Sequence, residues 1–208
     1  MEKNLGRILI NAKKLSNIGR WANEFLHKRQ SVAEHSFMVS QIAQLLGLIE
    51  EEAGNIVDWK SLYRKALNHD TPEALVGDVI STTKNINPAT KKALDDVESE
   101  LVESELILKL EDNFQNIYRD LIFDGKDDSL EGKILTAADN LDALMECIQE
   151  IKLSNMDPFL EKYHHIYNKV KSIGLYSSNY FINKIFRENK CYSAALRTNL
   201  NVAVTPSV

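Results

Sequence analysis

Between Leu130 and Ile148 the chain places Leu130, Ile134, Leu135, Ala138, Leu141, Leu144, Met145 and Ile148 at helical spacing. A segment patterned this way is a long helix with a broad apolar face that must pack on a core. Related spacing recurs at Leu5, Ile8, Leu9, Ala12 and Leu15, and again at Val39, Ile42, Leu45 and Leu46. Hairpins would need turn residues, but glycine and proline number only 8 and 4 in 208 residues. The expected fold is all-α, with residues 1–188 as a single helical bundle. The tail 189–208, ending NVAVTPSV, lacks helical period and strong charge; it reads as mobile or as an arm docking on a partner.

Local signals place the boundaries. Asn17 and Gly19 stop the first helix, and Ser31 with Glu34 three residues on forms a capping-box pattern that starts the second, which runs to Gly47. A third begins near Trp59 and breaks at Thr71-Pro72. STTKNINPATKK is a polar loop; a charged helix follows from about Ala89 to Leu110, then a shorter one through Ile117 and Leu121. DGKDDS is a turn, Ser129 caps the long apolar helix, and two further helices span roughly 157–173 and 178–188.

The formal charge is −5, which repels polyanions and argues against a nucleic-acid polymer as partner. No run approaches the ~20 apolar residues that span a bilayer, so no membrane partner is expected. The start is an amphipathic helix rather than a secretion signal; Lys3, Arg7, Lys13 and Lys14 lack the Ser/Arg-rich setting of a transit peptide. Cys147 and Cys191 are too few for a disulfide framework, and Cys147 reads as packing, which fits a reducing cytoplasm.

ALNHDTPEALVGDV, residues 66–79, sets four ionisable residues, His69, Asp70, Glu73 and Asp78, in an otherwise apolar stretch. With His35 near one helix start and Asp139 within the apolar helix, the chain can assemble two imidazoles and two carboxylates. Such a set suits Mn, Fe, Co, Ni or Zn better than Mg or Ca, and helices converging in a bundle can bring it together. Each member also has an ordinary reading: His35 as an interior histidine, Asp70 as a helix cap, Asp139 as a partner of Lys133. Asp139 is the hardest to treat so, because ILTAADNLDALM surrounds it with small and apolar residues, where an ionised carboxylate needs a cation or several donors. His164 and His165 have no acid at ligand spacing, and His27 lies beside Lys28 and Arg29.

The order of Arg20-Trp21, VAEHS, HDTPEALVGD and a late Asp139 on an apolar helix resembles the HD-domain phosphohydrolases, specifically the bacterial HD-domain 5'-deoxynucleotidases, over about residues 4–150. The resemblance implies that His35, His69, Asp70 and Asp139 hold one divalent metal ion between the core helices. It implies that Glu73 positions or deprotonates the attacking water, that Arg20 holds the phosphate, that Trp21 crowds the sugar 2'-position, and that Asp78 hydrogen-bonds the sugar. The substrate would be a deoxyribonucleotide, a 2'-deoxyribonucleoside 5'-monophosphate, cleaved to deoxynucleoside and phosphate. The residue chemistry agrees: Glu73 lies one turn beyond His69 and Asp70, and Arg20 offers a planar fork beside a rigid wall. Lys84 is a weaker phosphate contact. The nearest alternative is dNTP triphosphohydrolysis, with only Lys28, Arg29 and Lys84 available for outer phosphates. Another is a non-catalytic regulatory module stabilised by the metal, which would leave Glu73 without a task. The family and the amphipathic helices together point to a homodimer.

Overall fold

The computed structural model describes residues 3–78, 84 and 86–186. The 189–208 tail and most of residues 79–85 at the start of the polar loop lie outside the described residues. Helices run α1 Arg7–Lys14, α2 Val32–Glu52, α3 Trp59–Asn68, α4 Glu73–Val76, α5 Pro88–Leu101, α6 Asp112–Phe123, α7 Leu130–Lys152, α8 Met156–Ile173 and α9 Tyr176–Tyr180. A π-helical turn, Val102–Leu106, and a 3-10 turn, Ile107–Lys109, continue α5; another wide turn, Phe181–Phe186, follows α9. No strand occurs among the described residues, where one isolated bridge joins Gly19 to Ser31. The fold is all-α.

The long apolar helix is α7, and it is central. Sixteen of its 23 residues are buried, so nearly every side meets protein. It packs chiefly on α8, α2 and α3. Leu135, Leu141, Leu144 and Ile148 share one core with Leu46, Leu62 and Phe159; each such side chain contributes roughly 1.5–3 kcal/mol through burial. Ser129 caps α7 as expected, accepting from the Gly132 amide. A smaller cluster of Val102, Leu106, Ile107, Leu110 and Ile122 joins the π-helical turn to α6.

The capping box at the head of α2 forms in full: Ser31 Oγ accepts from the Glu34 amide and the Glu34 carboxylate accepts from the Ser31 amide. This fixes the first turn, one turn before His35.

Two expectations are corrected. Gly47 does not stop α2, which continues to Glu52. It is a close-contact point instead: a Cβ there would fall 2.8 Å from the Trp59 ring and 3.1 Å from Leu62. On α1, Leu9 and Ala12 face outward, while Ile8, Asn11 and Leu15 face inward. Asn11 can be buried because its amide donates to the Arg7 carbonyl and its oxygen accepts from Lys14.

Candidate metal centre

The end of α3, the start of α4, the second turn of α2 and the middle of α7 meet at one place. His35 is fully buried, and its Nε2 lies 3.2 Å from Asp139 Oδ1 and 3.4 Å from Asp70 Oδ2. His69 Nε2 lies 3.2 Å from the same Asp70 oxygen. The two imidazoles meet edge to face with centroids 5.5 Å apart. One ligand atom each of His35, His69 and Asp70 lies within 4.8 Å of the others.

Hydrogen bonds behind the rings decide what the site presents. His69 Nδ1 is 2.8 Å from the Ala66 carbonyl, which can only accept, so Nδ1 carries the proton. His35 Nδ1 is 2.6 Å from Asp142 Oδ2 and donates to it in the same way. Both Nε2 atoms thus face carboxylates, and each offers a lone pair there when its ring is neutral. Buried Nε2 of His35, Nε2 of His69, Oδ2 of Asp70 and Oε2 of Glu73 all lack a hydrogen-bond partner. Four buried polar atoms without a partner in one place are costly, and a cation that displaces the protons on His35 and Glu73 would satisfy them together. The residues therefore fit a divalent ion with mixed nitrogen and oxygen donors.

Charge shifts follow the same logic. Burial and Arg20 oppose protonation of His35, but Asp139 and Asp142 outweigh them and raise it to about 9. Burial, then Asp70 and Asp78, push Glu73 up to about 9. Burial also opposes ionisation of Asp139, yet Lys126 and His35 hold it well below the usual carboxylate range.

Asp70 is not a helix cap: α4 has none, and the Asp70 side chain turns inward to the histidines. Asp139 pairs with Lys126, not Lys133. Arg20 Nε donates to Glu146 Oε2 at 2.9 Å, and the Trp21 indole donates to the same oxygen at 3.0 Å. The Trp21 amide donates to Asp78 Oδ2 at 3.0 Å. Burial opposes the charge of Arg20, while Glu146, Asp139 and Asp70 hold it ionised. All eight residues singled out from the sequence thus converge on one region.

Sequence reasoning missed Asp142, Glu146 and Lys126 as members of the site. Asp142 and Glu146 stand three and seven positions after Asp139, a one-face helical pattern that was a readable signal. Glu150 extends the row, accepting from the His27 and Lys28 amides and so tying that loop to α7. Lys126 lies on the turn before α7, held by Lys65, which is buried and bonds Asp124, the Gly125 carbonyl and Asp127; no periodicity announces it.

A solved HD-domain phosphohydrolase of Listeria innocua is 34% identical, covers 96% of this chain and 97% of its own, and superposes with TM-score 0.83. A Vibrio vulnificus 5'-deoxynucleotidase is 28% identical over 146 residues, 70% of this chain and 75% of its own length. The Escherichia coli 5'-deoxynucleotidase YfbR is 27% identical over 150 residues, 72% and 75% respectively. The family model described as 5'-deoxynucleotidase YfbR-like matches residues 8–189, most of the chain, and with the helical bundle and the histidine-aspartate cluster in place the chain belongs to that family.

Proposed function

We propose that the chain hydrolyses 2'-deoxyribonucleoside 5'-monophosphates to deoxynucleoside and inorganic phosphate, with one divalent ion held by His35, His69, Asp70 and Asp139. The observation that carries this reading is the pair of buried Nε2 atoms, both tautomers fixed from behind, gathered within 3.4 Å of the Asp70 and Asp139 carboxylates. The names of the family and of its relatives supply the substrate class. When bound, such an ion polarises a phosphoryl oxygen and increases the acidity of water at neutral pH.

The remaining work falls to side chains. Arg20, held ionised beside Glu146, binds the phosphate dianion and orients phosphorus. Glu73, buried with an unbonded oxygen, orients the attacking water and accepts its proton once ionised; a divalent charge at the site would offset the burial and the Asp70 and Asp78 charges that otherwise hold it protonated. Trp21 walls the sugar beside its 2'-carbon, and Asp78, fixed by the Trp21 amide, accepts from the sugar hydroxyl through its other oxygen. The ion is Mn, Co, Fe, Ni or Zn; a fold neighbour, the cyanophage S-2L phosphohydrolase DatZ, is described as bound to dA and one catalytic Zn2+.

Outer-phosphate binding has little support. Arg29 donates to the carbonyls of Arg20, Trp21 and Glu24, and Lys84 pairs with Asp95 and Glu98. Monophosphate is therefore favoured over triphosphate. The protein is read as a cytoplasmic homodimer, with exposed Phe37, Leu45 and Leu48 on α2 as apolar surface for a two-fold partner. The deciding experiment is phosphate release from dNMP and NMP panels with added Mn or Co. Preference for dNMP, abolished by Glu73→Ala, is expected; equal rates on ribonucleotides would defeat the reading.

A further inference from the structure

We propose that Glu146 is a positioning residue that sets sugar discrimination and phosphate affinity together. The inference rests on the roles assigned above to Arg20 and Trp21. A single carboxylate oxygen, Glu146 Oε2, accepts from Arg20 Nε and from the Trp21 indole, at 2.9 and 3.0 Å. Glu146 is 7% exposed and projects from α7, the central helix, two turns beyond Asp139. The guanidinium and the indole are therefore referenced to the same helix that carries the metal-site carboxylate.

Trp21 needs such a hold. Its φ is 55°, a left-handed conformation that a bulky residue adopts only when its surroundings over-determine it. Asp78 anchors its amide, Phe159 meets its ring edge-on at 5.8 Å, and Glu146 fixes the indole N–H. Of these contacts, only the one to Glu146 sets the rotation of the ring through a directional bond. Without it the strained backbone can relax and the indole can swing, so the sugar wall loses its edge. Arg20 loses its orienting partner in the same event, and the two properties fall together.

The test compares Glu146→Ala and Glu146→Gln in the full chain, loaded with Mn. Rates on a dNMP and the matching NMP are measured alongside fluorescence in a Trp59→Phe background, where Trp21 is the remaining tryptophan. Glu146→Ala should lower the dNMP:NMP ratio of kcat/KM by about 10-fold or more, raise KM for dNMP and increase acrylamide quenching of Trp21. Glu146→Gln keeps an oxygen that accepts both bonds and should retain most of the discrimination. A ratio and quenching unchanged in folded Glu146→Ala overturn the inference. If Glu146→Ala does not fold, Glu146→Asp, whose shorter side chain draws the carboxylate back from both donors, carries the test: the dNMP:NMP ratio must fall as KM for dNMP and quenching rise, and a ratio that falls with unchanged quenching, or no change in any of the three, overturns the proposal. A wild-type enzyme that does not discriminate defeats the reading of Trp21 itself, and this inference with it.

Discussion

Asp142 Oδ2 stands 2.6 Å from His35 Nδ1, so a carboxylate not aimed at the metal site decides which nitrogen of the buried imidazole faces it. Removing such a partner loosens both the tautomer and the ring. Asp142→Ala should weaken Mn or Zn binding by roughly 10- to 100-fold in titration calorimetry while the helical circular dichroism is kept. Unchanged affinity would mean that packing alone orients His35.

Glu73 sets function against stability. Its Oε2 is buried without a partner, and burial beside Asp70 and Asp78 raises it to about 9. Glu73→Gln keeps the shape but removes the carboxyl that, on the proposed mechanism, must lose its proton to act. Phosphate release should drop by about 100-fold or more. The metal-free variant should melt no lower than wild type at pH 8. A lower melting temperature would assign Glu73 a structural role.

The metal-free protein should lose stability as pH rises. His35 moves from 6.5 to about 9 and Glu73 from 4.5 to about 9, so both hold a proton more tightly folded than unfolded. Their contribution is complete below the unfolded value and disappears as pH climbs through the folded one. In EDTA the melting temperature should fall between pH 6.5 and about 9, and saturating Mn should flatten that decline. A melting temperature that climbs over this window in EDTA would contradict the assignment.

Gly47 tests the packing of α2 on α3 at the end away from the site. A Cβ at 2.8 Å from Trp59 forces the indole away, and the branched side chain of Gly47→Val cannot be absorbed by rotation. A loss of about 1–3 kcal/mol in urea unfolding is expected.

Helical period and capping chemistry are local, which is why α2, α3, α7 and α8 could be read from the chain with starts near Ser31, Trp59, Ser129 and Asp157. Gly47 misled because a glycine that ends a helix and one that admits a neighbouring ring look alike until Trp59 is in place. Leu9 misled because α1 is short and its burial is set by the cluster holding Ile8. At the site, ligand chemistry was legible: His35, His69, Asp70 and Asp139 are types with few other reasons to gather. The helix face shared by Asp142 and Glu146 with Asp139 was legible, but their tasks were not, because these depend on His35, Arg20 and Trp21 more than 100 residues away. Lys126 is placed by Lys65 through the turn it clamps, a relay that leaves no trace in spacing.

Asp139, Asp142, Glu146 and Glu150 share one ribbon of α7, meeting the proposed cation site, an imidazole, the Arg20-Trp21 pair and the 27–28 loop in turn. One residue inserted or deleted among them would turn every later member by about 100°. A single indel would thus uncouple chemistry, selectivity and loop anchoring at a stroke. Lineages that diversify this scaffold are therefore expected to inherit the spacing of that ribbon intact and to vary the lengths of the connecting segments around it.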